Sequence, residues 1–221
     1  MTYVFHFGPI LARIDELLYG ALRTLELTIV SVAAGLLVGV LGALGRSFGP
    51  RWLAAAVGVY VELIRNTPLL VQLYFVFFSL PLMGLKLTSD QAAILALSIH
   101  LGAYAVEILR AGIESIPDGQ IEAAKALGLS RWQIIRHVIL VPAARAVYPA
   151  LTSQFVLQLM GTSIVSAIAA EELTAVANNM AMQTFRNFEI YIVVAVIYFV
   201  LVQLCDAGFR LSSRLIFRWK V

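Results

Sequence analysis

The sequence has 221 residues, of which 61% are hydrophobic and only 13% are charged, and its mean hydropathy is +0.89. Soluble proteins carry about 25% charged residues and cannot hide so much apolar surface, so this composition excludes a water-soluble globular domain. The net charge of +3 matches the Lys and Arg that membrane proteins collect in their cytoplasmic loops, and nucleic acid is not an expected partner.

The sequence also excludes several kinds of chemistry. Cys205 is the one cysteine, so no intrachain disulfide framework is possible. No lysine ends a glycine-rich phosphate loop, so the chain is predicted not to be an enzyme that hydrolyses ATP, and no metal or cofactor is expected. The N-terminus lacks a basic start, an apolar stretch and a small-residue cleavage site in succession, so no removable signal peptide is predicted.

Five apolar runs have about the length needed to cross a bilayer, near 20 residues. They cover residues 22–44, 69–85, 92–109, 146–169 and 190–209. They predict an all-α membrane protein with about five transmembrane helices in the lipid bilayer. With the N-terminus outside, twelve Lys and Arg residues lie on the inner side and four on the outer side, which favours a multi-pass protein with a cytoplasmic C-terminus.

The stretch between the first two apolar runs contains Glu62 and Arg65, and central charges make it a poor membrane span. We predict that this stretch lies along the cytoplasmic interface and breaks at Asn66. Thr67 is then expected to be the N-cap of the next helix, with Pro68 at its first position.

A soluble-looking segment interrupts the chain between the third and fourth apolar runs. Asp118 is expected to cap a helix that runs from Gln120 to Leu127, and Gly128 to end it in the left-handed conformation. Ser130 and Gln133 are spaced as a capping box, and Leu129 and Ile134 as a hydrophobic staple, at the start of a second helix. The sequence therefore predicts a cytoplasmic helix, a tight turn and a helix.

The first of these two helices has a surface that another protein could approach closely. Ala123, Ala124 and Ala126 are small, and Glu122 and Lys125 beside them could orient a partner. A docking element and a solvated loop with ordinary caps both fit this pattern. A DNA-binding helix-turn-helix fits it less well, because the segment is tethered at both ends and its first helix has one Lys.

Polar residues in the fourth apolar run recur every four positions and form a stripe on one helix face: Gln154, Gln158, Thr162 and Ser166. The stripe fits either a pathway for a polar solute or hydrogen bonding between packed helices. Small residues in the first run have the same spacing and favour close helix contact: Ser31, Gly35, Gly39 and Ala43. Glu26 lies nearer the outer end of that run, where it could attract a cationic solute or simply meet water. His100 is expected to be structural, since no acid lies one turn away.

Several motifs in order resemble the inner-membrane permease subunits of bacterial ABC importers. "EAAKALG" followed by "ILVP" is similar to the EAA loop of that family, and further motifs resemble its polar amino acid branch of histidine, glutamine and arginine type. These further motifs are "ELIRNTPLLVQL" at Glu62, "AYAVEILRAGIESIPDGQIEAAKALGLS" at Ala103, "TSIVSAIAAEELT" at Thr162 and "FRNFEIY" at Phe185. The resemblance covers roughly Gly20 to Phe217. The chain departs from many relatives at Val141 to Ala144, "VPAA" in place of "LPQA", and at Met160 and Gly161 in place of a Lys-Asp pair.

The resemblance implies the type I ABC importer permease fold, with residues 1–221 as a single permease domain and residues 115–141 as its EAA coupling loop. It also implies four kinds of partner: cytoplasmic ATP-binding subunits, a second permease half of identical or different sequence, an external substrate-binding protein and a polar amino acid substrate. The coupling positions that it implies are Glu122, Ala123, Ala124 and Gly128. It makes a binding-protein contact the expected role of Glu171 and Glu172, which follow the fourth run.

We therefore expect an ATP-driven importer subunit in the bacterial inner membrane that alternates between outward and inward access. The stripe of the fourth run would then face the partner half. A secondary transporter driven by an ion gradient is the alternative, although the odd number of spans and the absence of a visible inverted repeat count against it. A membrane sensor or scaffold that recruits a kinase is a third possibility.

Overall fold

The computed structural model describes residues 3–216, and within this range the chain forms nine helices and no strand. The helices are α1 Gly8–Leu11, α2 Ile14–Phe48, α3 Arg51–Arg65, α4 Leu69–Leu82, α5 Ser89–Glu114, α6 Asp118–Ala126, α7 Arg131–Ile168, α8 Leu173–Thr184 and α9 Asn187–Ile216. A π-helical turn interrupts α4 at Phe75–Ser79 and another interrupts α7 at Ile134–Ile139, and α7 ends in the 3₁₀ segment Thr162–Ile168. The predicted all-α class is confirmed.

Four helices, α2, α5, α7 and α9, are each long and apolar enough to cross a membrane. Helices α3 and α4 meet at an angle of 107° and together pass the same test as a broken span. The structure thus has four spans, or five if the bent pair is counted as one span, which agrees with the predicted number of about five. Three of the four long helices, α2, α5 and α9, extend beyond the predicted apolar runs at both ends: α2, for example, covers Ile14–Phe48, whereas the apolar run covers residues 22–44.

The break between α3 and α4 is one residue later than predicted. Pro68 occupies the N-cap position, with φ −63° and ψ 140°, and α4 begins at Leu69. The Thr67 hydroxyl instead donates a hydrogen bond of 2.9 Å to the carbonyl oxygen of Leu63. Thr67 thus satisfies the last turn of α3, where carbonyl groups lack intrahelical partners.

Helices α2 and α5 form the most extensive helix pair in the described range. All four members of the small-residue stripe of α2 are buried, as the spacing predicted. A Cβ atom on Gly39 would lie 2.4 Å from Cβ of Ala105, so only glycine allows this approach. Close backbone contact of this kind replaces the hydrophobic driving force that helices lack in lipid.

The core is divided into three clusters along the length of the bundle. One lies where α2 meets α8 and α9, around Leu17, Leu173 and Ile190. A second joins α2, α4 and α5 to the 3₁₀ end of α7, around Leu97. The third holds the segment between α5 and α7, around Ala124. The first and third clusters place one short helix, α8 or α6, at each end of the spans.

The N-terminal residues are bound to the start of α9. The side chain of Glu189 is fully buried, and its carboxylate accepts hydrogen bonds from the Tyr3 hydroxyl at 2.5 Å, the His6 backbone amide at 3.0 Å and the Arg186 guanidinium at 3.0 Å. The ring of Tyr3 also meets the ring of Phe188 edge-on, with centroids 5.3 Å apart. These contacts cover the end of the bundle that carries α8.

Candidate functional site

Helix α6 ends in the left-handed turn that its sequence predicted. Gly128 has φ +75°, a conformation that costs glycine little. The amide of Gly128 donates to the carbonyl of Lys125 at 2.9 Å, and the amide of Leu129 donates to that of Ala124 at 3.2 Å. This pair of hydrogen bonds is a Schellman motif, which closes the end of a helix.

The predicted start of α6 is wrong by two residues. The helix begins at Asp118 rather than Gln120, and its N-cap is Pro117, whose side chain cannot accept a capping hydrogen bond. Asp118 is therefore in the first helical turn, where its negative charge interacts favourably with the helix dipole. Proline at the boundary fits because the first amide groups of a helix need no intrahelical acceptor.

The start of α7 has the predicted capping box. The Ser130 hydroxyl accepts from the amide of Gln133, and the Gln133 side chain accepts from the amide of Ser130 at 2.8 Å. The helix that begins here is continuous with the fourth apolar run, as Arg131–Ile168. A force applied at α6 therefore acts through one short turn on the end of a membrane helix.

The surface of α6 divides into an outer and an inner face. Glu122, Ala123, Lys125 and Gly128 are exposed. Ala124 is only 5% exposed and packs into the third core cluster, so the prediction of a contact surface at Ala124 needs correction: it faces the protein interior. Its small side chain permits close packing of α6 against α7. Two large apolar side chains that follow are also exposed, Leu127 at 81% and Trp132 at 67%.

An ion-pair network fixes the end of α5 that leads into α6. Arg46, near the end of α2, pairs with Glu107 at 2.6 Å, and Glu107 also accepts from Nε of Arg110 at 2.9 Å. Arg110 in turn pairs with Glu114 in the last turn of α5. The network links the ends of α2 and α5 directly before the chain enters α6.

A cavity of about 920 Å³ lies at the opposite end of the bundle, between α8, the start of α9 and the end of α7. Its polar wall consists of Ser166, Glu171, Asn178, Asn179, Asn187 and Tyr191. The Tyr191 hydroxyl donates to the Asn178 side chain, so the two polar helices of this wall are held together. A cavity of this size with a mainly uncharged polar lining suits a small polar solute.

The polar stripe of the fourth run does not form one surface. Gln158 is 3% exposed, and its amide donates to the carbonyl of Leu97 at 2.9 Å and to the hydroxyl of Ser31 at 3.3 Å. Thr162 is fully buried and donates to the carbonyl of Leu159. The expectation that Gln158 and Thr162 face a partner half is corrected: Gln158 is bonded to α2 and α5 within the same chain, and Thr162 is buried with its hydroxyl bonded back to α7. Packing explains these two residues better than a pathway does.

The other proposed pathway residues lie in different surroundings. Ser166 lines the large cavity, because the 3₁₀ turn at the end of α7 rotates it away from the buried members of the stripe. Gln154 is half-buried with no hydrogen-bond partner in the described range. Glu26 is exposed and pairs with Arg23, which also pairs with Asp90 at 2.5 Å. Of the five, only Ser166 lines this cavity.

Glu172 has a structural position that the sequence did not predict. Its side chain is fully buried and caps α8, accepting from the amides of Ala175 at 2.7 Å and Thr174 at 2.8 Å and from the Tyr198 hydroxyl at 2.9 Å. Burial raises the pKa of the Glu172 carboxyl, although these three donors act in the opposite direction. The expected contact of Glu172 with a binding protein is therefore corrected, whereas Glu171 is exposed beside it.

Sequence reasoning overlooked the residues that build the large cavity. The adjacent amides Asn178 and Asn179, followed by Asn187 and Tyr191, lie in a segment treated only as a connection between spans. The cluster of three asparagines is a signal that polar groups are needed there. Glu189 was missed in the same way, since an acid in the first turn of a helix is so often exposed.

Residues 32–218 match the family described as "Binding-protein-dependent transport system inner membrane component". The chain is 38% identical over 200 residues to the glutamine transport system permease protein GlnP of Escherichia coli (strain K12), covering 89% of this chain and 91% of that protein. It is 36% identical over 196 residues to the L-cystine transport system permease protein TcyB of Bacillus subtilis (strain 168), covering 88% and 81%.

Solved structures give the same picture. A chain from the crystal structure of an amino acid ABC transporter with histidines superposes with a TM-score of 0.90 at 34% identity, covering 96% of this chain and 99% of that one. A chain from an inward-facing conformation of the MetNI methionine ABC transporter gives a TM-score of 0.75 at 24% identity, covering 93% and 98%, and supports the fold alone.

Proposed function

The chain belongs to the family of inner membrane components of binding-protein-dependent transport systems. From this membership we infer which end of the chain contacts the ATPase subunits and which end receives the substrate. It is the permease subunit of an amino acid ABC importer. Its family implies ATPase subunits, a second permease half and a substrate-binding protein as partners. The proposal concerns which residues of this chain meet those partners and the substrate.

The α6 end is the site of energy coupling. ATP hydrolysis takes place in separate cytoplasmic subunits, and these dock on α6 through Glu122, Ala123, Lys125, Leu127 and Gly128. The observation that carries this proposal is the exposure of Leu127, directly after α6, and Trp132, in the first turn of α7, while the inner face of α6 is packed into the protein. Large apolar side chains exposed on a polar segment mark a surface that a partner covers.

The residues 115–141 act as a coupling loop within a single permease domain of residues 1–221. The Schellman turn and the capping box make the joint between α6 and α7 short and well defined. Movement of α6 with the ATPase subunits is therefore transmitted to α7 as a rigid-body motion. Ala124 contributes by packing rather than by touching the partner.

The α8 end receives the substrate. The polar cavity accepts a polar amino acid, with Ser166 on α7 and the amides of α8 and α9 as hydrogen-bond partners. The glutamine permeases among the relatives make glutamine the first substrate to test. Gln154 and Glu26 stay candidates for the remaining path across the membrane. The protein lies in the inner membrane with its N-terminus outside and its C-terminus in the cytoplasm, as the Lys and Arg distribution favours.

ATP-driven uptake in liposomes tests this proposal. The chain is reconstituted with its ATPase and binding protein, and uptake of labelled L-glutamine, L-histidine and L-arginine is measured with and without ATP. Glu122→Lys is expected to reduce both ATPase copurification and uptake at least tenfold. Lys86→Glu, an opposite charge reversal in the exposed loop before α5, is the matched control and is expected to keep ATPase copurification. Uptake driven by an ion gradient without the ATPase contradicts the proposal.

A further inference from the structure

A groove of about 430 Å³ lies between α7 and α9 and shares no lining residue with the large cavity. Its wall on α7 includes Tyr148 and Thr152, at the start of the fourth apolar run. Its wall on α9 includes Arg210 and Arg214, directly after the fifth run, which ends at residue 209. Because both walls lie where an apolar run meets polar sequence, the α7–α9 groove is at the boundary between the hydrocarbon and the headgroups of the bilayer.

Hydrogen bonds fix the two walls of the α7–α9 groove to each other. The Tyr148 hydroxyl donates to the carbonyl of Phe209 at 2.8 Å and lies 2.5 Å from the hydroxyl of Ser212. The Ser212 hydroxyl also donates to the carbonyl of Phe209, at 3.0 Å. The groove therefore has its shape before any ligand arrives, which reduces the entropic cost of binding.

The α9 wall carries charges that no other described residue balances. Asp206, Arg210 and Arg214 are four residues apart and lie on one face of the helix. Within residues 3–216, the ion pairs all involve other residues. The hydroxyl of Ser213 also lines the groove and makes no hydrogen bond to a described residue. The α9 wall thus offers two guanidinium groups, a carboxylate and a hydroxyl to a ligand.

The balance of these charges selects the kind of anion that fits. Arg210 and Arg214 are positive and Asp206 is negative, so the lining carries one net positive charge. A phosphodiester carries one negative charge, whereas a phosphate monoester carries about −1.5 to −2 at pH 7. The planar guanidinium also matches the oxygens of a phosphate group. Asp206 repels a second negative charge, so the lining matches a phosphodiester better than a monoester.

The membrane side of the α7–α9 groove is apolar. The rings of Phe155 on α7 and Phe209 on α9 lie 5.9 Å apart. Phe199 lies two turns before Asp206 on the same face of α9, and its side chain is 65% exposed. An apolar surface therefore continues from the charged wall along the span. A polar groove next to such a surface suits a molecule with a charged head and an apolar tail.

We propose that the α7–α9 groove binds the headgroup of an anionic phospholipid, with Arg210 and Arg214 bonding the phosphodiester oxygens. Ser213 donates its hydroxyl to the same phosphate, and an acyl chain lies along Phe199. Basic pockets between transmembrane helices are established places for lipid headgroups. The site does not depend on which solute the chain carries, because lipid binding and uptake are measured separately.

Native mass spectrometry of the delipidated importer, assembled with its ATPase and second permease half, measures this binding. The probes are dioleoyl-phosphatidylglycerol and dioleoyl-phosphatidylethanolamine, which have the same acyl chains. The wild type is expected to bind phosphatidylglycerol at least about fivefold more tightly, because the ammonium of phosphatidylethanolamine leaves the positive charge of the groove unbalanced. Arg210→Gln and Arg214→Gln are each expected to abolish this preference. Arg51→Gln, exposed at the start of α3, is the matched control and is expected to keep it.

Two further variants separate a direct charge effect from damage to the fold. Arg210→Lys keeps the positive charge and is expected to keep the preference for phosphatidylglycerol. Asp206→Asn removes the negative charge, so it is expected to strengthen the binding of phosphatidic acid, a monoester, more than that of phosphatidylglycerol. A general loss of structure would lower the binding of all these lipids together, so neither result is produced by unfolding.

A competition experiment separates a lipid from a soluble phosphate compound. Inorganic phosphate and glycerophosphoglycerol, which is the headgroup without acyl chains, are each added at about 1 mM to the complex with phosphatidylglycerol. Neither is expected to displace the lipid, since neither has an acyl chain to contact Phe199.

Three results overturn the lipid site. The wild type binds the two dioleoyl lipids equally, or Arg210→Gln and Arg214→Gln keep the preference, or Arg51→Gln and Arg210→Lys lose it as fully as they do. Displacement by glycerophosphoglycerol or inorganic phosphate at that concentration would assign the α7–α9 groove to a soluble phosphate compound and would likewise overturn the proposal.

Discussion

Gly39 of α2 and Ala105 of α5 lie so close together that a Cβ atom on Gly39 would fall 2.4 Å from Cβ of Ala105. The α2–α5 pair is therefore built on backbone contact rather than on large interdigitating side chains. Arg46 and Glu107 join the same two helices with an ion pair, about two turns after Gly39 on α2 and half a turn after Ala105 on α5. Close backbone contact and an ion pair thus join α2 and α5 along the same interface.

Gly39→Val is expected to destabilise the protein, because the new side chain forces α2 and α5 apart. Overpacking of this kind costs about 1–3 kcal/mol. Thermal melting of the purified protein in detergent measures the loss. Gly58→Ala in α3, where no atom lies within 4 Å of the added Cβ, is the matched control and is expected to leave the melting temperature unchanged or slightly raised. Equal melting of wild type and Gly39→Val would contradict the contact.

Gln158→Ala is expected to lower stability by about 1–3 kcal/mol, since it removes both hydrogen bonds between α7 and its neighbours and leaves a buried gap. Gln154→Ala, one turn away and with no side-chain hydrogen bond among the described residues, is the comparison and is expected to melt like the wild type. If Gln158 served the substrate path instead, Gln158→Ala would change the order of preference among amino acids in uptake assays while melting normally.

The sequence predicted where the helices begin and end better than it predicted which side of each helix is buried. Ser130, Gln133 and Gly128 have structural roles set by their near neighbours, so their capping and turn positions follow from spacing alone. Whether Gln158 meets a pathway or α2 depends on the packing of distant helices, and a stripe at four-residue spacing is equally consistent with both. Thr162 lies where α7 tightens into a 3₁₀ turn, which breaks the face that four-residue spacing assumes.

The burial of Glu172 was equally invisible in the sequence. Two adjacent acids in a connecting segment resemble an exposed pair, and only the tertiary position of Tyr198 and the start of α8 show that one is inside. The same limit applies to Ala124. The EAA motif identifies α6 but does not show which of its two alanines, Ala123 or Ala124, is buried.

Ala123 and Ala124 are expected to respond differently to the same change. Ala124→Asp places a charge in the third core cluster, so it should lower the melting temperature and reduce ATPase copurification together. Ala123→Asp changes only the exposed face and should reduce copurification at an unchanged melting temperature. Melting curves and copurification yields of the two variants, measured side by side, check this. Equal thermal loss in both would contradict the assigned orientation of α6.

The buried carboxyl of Glu172 is expected to make stability depend on pH. Burial raises its pKa in the folded protein, so the folded state binds this proton at a higher pH than the unfolded state does. The contribution of Glu172 to the free energy of unfolding therefore increases as pH falls through the folded-state pKa, and levels off below the unfolded pKa of about 4.3. The melting temperature of the wild type relative to Glu172→Gln is expected to rise as the pH is lowered toward that unfolded value, because the amide cannot take up the proton.

Tyr198→Phe provides a second, independent test of the same interaction. The Tyr198 hydroxyl donates to the Glu172 carboxylate at 2.9 Å and thereby stabilises its ionised form. Without that donor the pKa of Glu172 should rise further, so the gain in melting temperature should begin at a higher pH than in the wild type. The double variant with Glu172→Gln should lose this difference, since no carboxyl is left to titrate. A pH profile that Tyr198→Phe leaves unmoved would mean that Glu172 is held by the α8 amides alone.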